Sequence, residues 1–241
     1  MKASVRQVHP PAMRSLIAMI AGTLIVASSA FARGTPPPPI PEMASRTAQV
    51  GDVSMHYWIG GRGAPVVLLH GWPETGYAWR KVAPKLIAAG YEVIVPDLRG
   101  LGDTSRPTDG YDRLTMAQDV RALVHDRLKL GPVLLVGHDW GGSTAAAWAG
   151  AHPEDVRRLV VVEAQPRGPW AKPEPWFYAF HRSPGFPEAM TAGRERTYLT
   201  WFYRNFAARP DAITPAEIDV YLRDGRAKDE CSARSRRTQG G

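Results

Sequence analysis

The residues best suited to chemistry in this chain form the stretch Gly137–Gly142, which reads Gly-His-Asp-Trp-Gly-Gly. The stretch separates a short apolar run from a helical pattern, so we expect a sharp strand-to-helix turn that holds its central side chain out at the edge of a sheet. That side chain is Asp139. A carboxylate in this position attacks a carbon atom and forms an alkyl-enzyme ester, which water then cleaves.

Such a turn needs a strand before it and a helix after it, and the surrounding sequence alternates between the two. Short continuous apolar runs are typical of strands buried on both faces of a sheet, and apolar residues spaced by three and four mark helices. The alternation predicts an α/β fold with a mostly parallel sheet covered on both faces. The predicted strands are Val53–Ile59, Pro65–Leu69, Tyr91–Val95, Pro132–Val136 and Arg158–Val162. The predicted helices include Trp79–Ile87, one opened by a capping box at Thr115–Gln118, and Gly141–His152.

The N-terminal part of the chain differs from its body. Three basic and no acidic side chains accompany the apolar run Leu16–Ala27 and a small-residue site ending at Ala32, which is typical of a secretory signal peptide over residues 1–32. The run is too short to span a bilayer comfortably, which disfavours the alternative of a membrane anchor. A Pro-rich spacer is expected over residues 33–47. We therefore expect an exported protein, periplasmic or secreted, with no membrane contact after cleavage.

The net charge of +7 first suggests an acidic partner, but its distribution argues against one. Residues 1–32 carry +3 and residues 223–241 carry another +3, which leaves +1 on the body of the chain. A protein that binds nucleic acid needs a basic patch on its folded body, so we expect no nucleic-acid partner. The single cysteine, Cys231, excludes an internal disulfide and a thiolate zinc cluster.

Three stretches, each after a predicted strand, carry a resemblance to a known family. They are His70–Thr75 (His-Gly-Trp-Pro-Glu-Thr), Asp97–Asp103 (Asp-Leu-Arg-Gly-Leu-Gly-Asp) and Gly137–Gly142. Together they resemble the α/β-hydrolase family, specifically its epoxide hydrolase branch, over about residues 50–222. The resemblance implies an α/β-hydrolase fold with a mostly parallel sheet, a core over residues 48–164 and a partial helical lid over residues 165–222.

The same resemblance assigns roles in the site. Asp139 is the expected nucleophile, and the backbone amides of Trp72 and Trp140 are expected to form the oxyanion hole that holds negative charge on the ester oxygen. A cis peptide bond is expected before Pro73. Glu163, directly after a predicted strand, is the expected acid that orients the base, and its alternative is a surface glutamate at a strand end.

The predicted lid is rich in proline and aromatic residues, which suggests a cover over an apolar pocket, and the alternative is that these aromatics form core. Epoxide hydrolases use lid tyrosines to donate a hydrogen bond to the ring oxygen, and Tyr178 is the candidate by position. Trp176 and Phe177 are the expected substrate-binding residues. Thr214 and Glu217 form a capping box that opens one more helix. His70 and His138, each beside a glycine of a motif, are expected to pack loops.

The chain departs from the family beyond the lid. The family's catalytic histidine belongs after its last strand, but no histidine follows His181, which lies in the lid. The 19 residues after Leu222 contain no Val, Ile, Leu, Met, Phe, Trp or Tyr. We interpret this as a truncation or reading-frame change near Arg223, with the C-terminal strands missing and a disordered basic tail over residues 223–241. The alternative is a natural disordered tail.

Three functions stay open, with epoxide hydrolysis first. A haloalkane dehalogenase would share the aspartate nucleophile, but that group usually has Asn where Trp72 stands. Fluoroacetate dehalogenases carry arginines after the nucleophile, where this chain has Trp140 and Ser143. A non-catalytic remnant would also explain the missing histidine. The expected partner is a small apolar substrate; no metal or organic cofactor is needed for nucleophile, water and base, and the oligomeric state stays open.

Overall fold

The structure, a computed structural model, describes residues 38–164 and 175–223. The predicted signal peptide (1–32), the start of the predicted spacer (33–37), the start of the predicted lid (165–174) and the tail beyond Arg223 lie outside the described residues.

A six-stranded sheet organises the described residues. Its strands are β1 (Met43–Val50), β2 (Val53–Gly61), β3 (Ala64–Leu69), β4 (Tyr91–Pro96), β5 (Val133–His138) and β6 (Val156–Val162). Their order is β1-β2-β4-β3-β5-β6. The pairs β1–β2 and β2–β4 are antiparallel, whereas β4, β3, β5 and β6 run parallel. The predicted mostly parallel α/β fold is therefore confirmed, and the carboxyl ends of four strands meet at one edge.

Helices follow the strands and then form a separate group. Those among the strands are α1 (Ala83–Ala88), α2 (Arg113–Arg121) and α3 (Trp140–Ala151), with a 3-10 helix at Gly76–Lys81, another at Pro153–Asp155 and a π-helical turn at Ala122–Arg127. The lid helices are α4 (Trp176–Arg182), α5 (Phe186–Thr191), α6 (Glu195–Phe206) and α7 (Pro215–Tyr221). Within the described ranges, none of these helices combines the length and apolar character needed to cross a membrane.

The first strand was not predicted from the sequence. Residues 43–47, assigned above to the spacer, belong to β1 and pair with β2 from Met43↔Gly60 to Thr47↔His56. The strand lies at the edge of the sheet, and most of its side chains reach solvent, with Val50 the buried exception. An edge strand of this kind lacks the apolar run by which the central strands were found.

The start of α2 also differs from the prediction. Asp112 is its N-cap, and one carboxylate oxygen accepts the backbone amides of Leu114 and Thr115 at 2.9 and 3.0 Å. Thr115, predicted as the cap, lies in the first turn, and its hydroxyl donates to Asp112. Both residue types cap helices, and the aspartate three residues earlier does so here. The capping box of Thr214 and Glu217 at α7 is confirmed.

The two faces of the sheet bury separate cores. One contains Trp148 of α3 and Met116 of α2 against the central strands, and the other contains Ala83 of α1 against Trp58. Leu199 and Phe202 of α6 belong to the first core. The lid is therefore packed on the sheet domain through part of its aromatic surface, and for Phe202 of α6 the alternative that these aromatics form core is confirmed.

Candidate active site

The strand-to-helix turn after β5 is formed as its sequence predicts. Asp139 stands between β5 and α3 with φ of +49°, in a backbone region that residues other than glycine rarely adopt. Its carbonyl accepts the amide of Ser143 at 3.1 Å, so the helix begins directly behind the carboxylate. The strained conformation costs about 1–3 kcal/mol and is typical of functional turns.

Glycines allow the chain to approach itself closely around this turn. A Cβ atom on Gly71 would lie 2.6 Å from Cβ of Asp139, and one on Gly137 would lie 2.3 Å from the carbonyl oxygen of Gly141. A Cβ on Gly141 would in turn lie 2.4 Å from the carbonyl oxygen of Leu69. A larger residue at Gly71 or Gly141 would push the nucleophile turn away from the end of β3 and the loop after it, and one at Gly137 would distort the turn itself.

The loop after β3 places a backbone donor on the carboxylate. The amide of Trp72 donates to Oδ1 of Asp139 at 2.9 Å, and the peptide bond between Trp72 and Pro73 is cis, as expected. Trp140 is the first residue of α3, so its amide belongs to the helix N-terminus behind Asp139, and its side chain is buried in the core. One of the two expected oxyanion donors thus already contacts the carboxylate.

Glu163 lies beside the nucleophile along the edge of the sheet. β5 and β6 pair as His138↔Val162, and the amide of Asp139 donates to the carbonyl of Val162 at 3.0 Å. Asp139 and Glu163 therefore follow paired residues at the ends of neighbouring strands. Glu163 also has a positive φ, +51°, and is exposed.

His138, which the sequence predicts as a loop-packing residue, pairs beside the nucleophile with Glu74, a carboxylate without a role assigned from the sequence. Nδ1 of His138 lies 3.3 Å from Oε2 of Glu74, in the loop that also holds Trp72. The hydrogen bond to Glu74 raises the pKa of His138 above its ordinary value against the effect of burial, and the charges of Glu74, Asp139 and Glu163 act in the same direction. The sequence feature that could have indicated this pair is Glu74 itself, a carboxylate within the loop His70–Thr75 that was already assigned to the site.

His70, by contrast, has a packing role, as predicted. It is fully buried, its Nδ1 donates to the carbonyl of Gly71 at 3.0 Å, and its Nε2 accepts the amide of Leu98 at 3.0 Å. Burial lowers the pKa of His70, despite the nearby charge of Asp97. The neutral ring ties the loop after β3 to the loop after β4.

The predicted lid residues occupy different depths of the lid. Phe177 packs against Phe202 with ring centroids 5.3 Å apart, and Phe202 lies 5.2 Å from the ring of Trp72. Tyr178 stacks on Phe177 at 4.9 Å and is half-buried. Trp176 is 53% exposed. Phe177 is therefore one ring removed from the oxyanion loop, whereas Trp176 lies at the rim.

His181 connects the lid to the loop of the site. It is fully buried, its Nδ1 bonds the carbonyl of Phe177 at 2.7 Å, and its Nε2 bonds the hydroxyl of Tyr198 at 2.8 Å. Its ring lies 4.9 Å from that of Trp72, edge to face. Both ring nitrogens are engaged, so His181 positions Trp72 rather than serving as the family's base. Sequence spacing alone gave no signal for this contact.

Among the residues that the structure describes, two groups of side chains have metal-ligand geometry. In each, three ligand atoms lie within 4.8 Å of one another; the groups are His56, Asp97 and Asp103, and His152, Glu154 and Asp155. Nδ1 of His56 is hydrogen-bonded to Asp97 at 2.8 Å, and Asp155 accepts from Arg121 at 2.6 Å. A metal ion would have to break these contacts, so we assign neither group to a metal.

Comparison with known proteins agrees with this geometry. The alpha/beta hydrolase fold family matches residues 64–213. The soluble epoxide hydrolase of Corynebacterium sp. (strain C12) is 46% identical over 125 residues, which cover 52% of this chain and 43% of that protein. The fluoroacetate dehalogenase of Burkholderia sp. is 31% identical over 200 residues, 75% of this chain and 64% of that protein.

A solved structure extends the similarity to three dimensions. The epoxide hydrolase CorEH, without ligand, superimposes with a TM-score of 0.74 at 34% identity, covering 81% of this chain and 74% of that one. The chain spans less than two thirds of the length of the two curated relatives above. With the family match covering most of the described core and lid, the chain belongs to the alpha/beta hydrolase fold family.

Proposed function

We propose that this chain opens epoxides of small apolar molecules through covalent attack by Asp139. One observation carries the proposal: the carboxylate stands at a sharp strand-to-helix turn with one oxygen held and the other available. Within residues 38–164 and 175–223, the amide of Trp72 is the hydrogen-bond donor to this carboxylate, and it binds Oδ1 alone. Oδ2 therefore keeps its lone pairs for attack on carbon.

The attack would form a bond from Oδ2 to an epoxide carbon while the ring carbon–oxygen bond breaks. The ring oxygen then needs a proton, and Tyr178 is our candidate donor. In the ester that results, Oδ1 is the carbonyl oxygen, and the amide of Trp72 is already directed at it. That donor would stabilise the negative charge that forms when water attacks the ester, by about 3 kcal/mol.

Hydrolysis of the ester needs a base as well as the oxyanion donor. The sequence has no histidine after His181, and both nitrogens of His181 are engaged. We therefore expect ester formation to be faster than ester hydrolysis in this chain, so that the alkyl-enzyme accumulates. Should diol form, His138 paired with Glu74 is the first group to test as the base.

The relatives support this choice of chemistry, and the lid supports the choice of substrate. Two of the three similar proteins described above are epoxide hydrolases. The lid places Phe202 at 5.2 Å and Tyr198 at 6.4 Å from the ring of Trp72, and Phe177 packs on Phe202 in turn. Such a surface favours an apolar, aromatic epoxide over a charged one.

The experiment is to incubate the protein with styrene oxide, record its intact mass over time and measure diol release. We expect a gain of one styrene oxide on the wild-type chain, mapped to the peptide that contains Asp139, with slow or no diol release. Asp139→Asn should show no gain, and Asp126→Asn, at an exposed aspartate of the same domain, should behave as wild type. A folded wild-type protein that gains no mass and forms no diol would refute the proposal.

Dehalogenation is the second candidate, because the dehalogenase relative covers three quarters of this chain. The same attack by Asp139 would then displace a halide ion from carbon. Trp140 and Ser143 stand where fluoroacetate dehalogenases carry arginines, so a charged haloacetate is a poor fit. Halide release from a chloroalkane, with no adduct from styrene oxide, would favour this second function.

A further inference from the structure

A chain of hydrogen bonds across β1, β2 and the end of β4 joins three residues that have no role in the proposed function. Oγ of Ser45, on the edge strand β1, lies 2.8 Å from Nε2 of His56 on β2. Nδ1 of the same ring lies 2.8 Å from Oδ2 of Asp97, which directly follows β4. A hydroxyl, an imidazole and a carboxylate are thus linked in the order that activates serine nucleophiles.

The carboxylate at the buried end of this chain is held ionised. Oδ2 of Asp97 also accepts the amide of Asp103 at 2.9 Å, and Oδ1 accepts the amide of Gly76 at 2.6 Å. Burial opposes the charge, but the hydrogen bond from His56 and the backbone amide of Asp103 hold the pKa of Asp97 well below its ordinary value. Asp97 can therefore only accept a hydrogen bond from His56.

That constraint fixes the tautomer of the imidazole. Because Asp97 accepts, Nδ1 of His56 carries the proton in the neutral ring, and the lone pair of Nε2 faces Ser45. The hydroxyl of Ser45 then donates to Nε2. His56 is 4% exposed, and its backbone amide is held by the hydroxyl of Thr104 at 2.9 Å, so the ring is fixed in place.

The nucleophilic end of the chain is open to solvent. Ser45 is exposed on β1, at the edge of the sheet, diagonally across from His56 in the β1–β2 register Thr47↔His56. The guanidinium of Arg46 donates to the carbonyl oxygen of Ser45 at 3.1 Å, which puts a positive charge beside the serine. A reagent can therefore reach Ser45 without entering the lid or the Asp139 site.

We propose that Ser45, His56 and Asp97 form a second nucleophilic site, independent of Asp139, at which acyl or phosphonyl electrophiles modify Ser45. In this step Oγ bonds to the carbonyl carbon or the phosphorus of the reagent, and its proton passes to Nε2 of His56. The bond to the phenolate or fluoride leaving group breaks, and the leaving group departs with the electron pair. The imidazolium remains paired with the Asp97 carboxylate until it releases the proton to water.

The test uses an alkyl fluorophosphonate and p-nitrophenyl acetate on the full chain, with intact mass and peptide mapping as readouts. We expect one label per chain, on the peptide containing Ser45, and its loss in Ser45→Ala. Ser183→Ala is the matched control, since Ser183 is an exposed serine whose hydroxyl bonds a backbone carbonyl. His56→Gln should label at least about 10²-fold more slowly, as expected for loss of a general base.

A second measurement covers the case in which replacing the buried His56 unfolds the protein. In Ser45→Cys the imidazole should assist thiolate formation, so iodoacetamide should modify this position about tenfold faster than in Thr47→Cys, on the same strand. Equal rates at the two positions would overturn the proposal. So would a fluorophosphonate label that maps elsewhere, or no label on the folded wild-type chain.

Discussion

Asp97 and Asp139 stand in equivalent places and have opposite surroundings. Each directly follows a parallel strand, β4 or β5, and these strands flank β3. Asp97 is 3% exposed and binds three hydrogen-bond donors, His56 and the amides of Gly76 and Asp103. Asp139 is half-buried and, among residues 38–164 and 175–223, binds one donor, the amide of Trp72. Both carboxylate oxygens of Asp97 are therefore hydrogen-bonded, whereas in Asp139, at the same edge of the sheet, Oδ1 is bonded and Oδ2 is available.

The difference separates a carboxylate that holds structure from one that can react. The Asp97 carboxylate accepts hydrogen bonds from two backbone amides and one imidazole, and through these bonds it stabilises two loops and a strand. A carboxylate with one donor is oriented yet nucleophilic. Glycines make room for both: a Cβ on Gly102 would lie 2.1 Å from Oδ2 of Asp97, and one on Gly71 would lie 2.6 Å from Cβ of Asp139.

The largest expected effect is a loss of folding stability when Asp97, the fully hydrogen-bonded carboxylate, is replaced. Asp97→Asn should lower the free energy of unfolding by about 3–5 kcal/mol, because an amide NH₂ would face donors and His56 would lose its charged partner. Urea denaturation followed by circular dichroism measures the change, with Asp126→Asn, at an exposed position, as the control. A loss of stability no larger than that of the control would mean that the hydrogen bonds of Asp97 do not stabilise the fold, and that Asp97 does not differ from Asp139 in this respect.

The stability that Asp97 contributes should also depend on pH in a defined direction. Its folded-state pKa lies below the ordinary value of 3.8, so the folded protein releases the proton at lower pH than the unfolded chain does. The contribution is therefore complete well above pH 3.8 and is lost as the pH falls below it. Unfolding free energies of wild type and Asp97→Asn should differ by a constant amount near neutrality and converge in acid. A difference that grows on acidification would contradict the assignment.

The next largest effect is expected on the rate at which Asp139 forms an adduct. Gly71→Ala should slow adduct formation with styrene oxide by about 10²-fold, since the new methyl group would displace Asp139 by a large fraction of an ångström. Gly150→Ala, in α3 behind the same nucleophile, is the matched control because a Cβ there meets nothing within 4 Å. Equal rates in the two variants would mean that the close approach of Gly71 does not position Asp139.

The sequence predicted those parts of the molecule whose signal is local. The central strands were predicted because burial of both faces gives them continuous apolar runs. Asp139 was predicted because six consecutive residues, Gly137–Gly142, specify its turn. The edge strand β1 was missed because its side chains face solvent. The cap of α2 was misplaced because Asp112 and Thr115 suit the same role and bond each other.

The contacts that could not be predicted join segments distant in sequence. Ser45 and His56 are 11 residues apart, and His56 and Asp97 are 41 apart. They meet because β1, β2 and β4 are neighbours in the sheet, an order that the pattern of apolar residues does not specify. The pairing of Glu74 with His138 has the same origin, since it depends on β3 lying beside β5.

The smallest expected effect is on the pKa of His138, which pairs with Glu74 beside Asp139. Glu74 is the main cause of the raised pKa of His138, and Asp139 and Glu163 add to it. Glu74→Gln should therefore lower the pKa of His138 towards its ordinary value without bringing it fully there, as measured by NMR titration of the imidazole protons. Glu154→Gln, beside His152 at the other end of α3, should leave that titration unchanged.

The sign of the effect on stability follows from the same shift. A histidine whose folded-state pKa is raised above its unfolded value of 6.5 contributes stability that is complete below that pH and is lost as the pH rises through the folded value. Glu74→Gln should thus cost stability near pH 6 and cost less above the folded pKa of His138. If the imidazole titrated identically in both proteins, the raised pKa of His138 would have to be caused by Asp139 and Glu163 alone. The nucleophile would then be part of a three-carboxylate cluster in which Glu74 only packs.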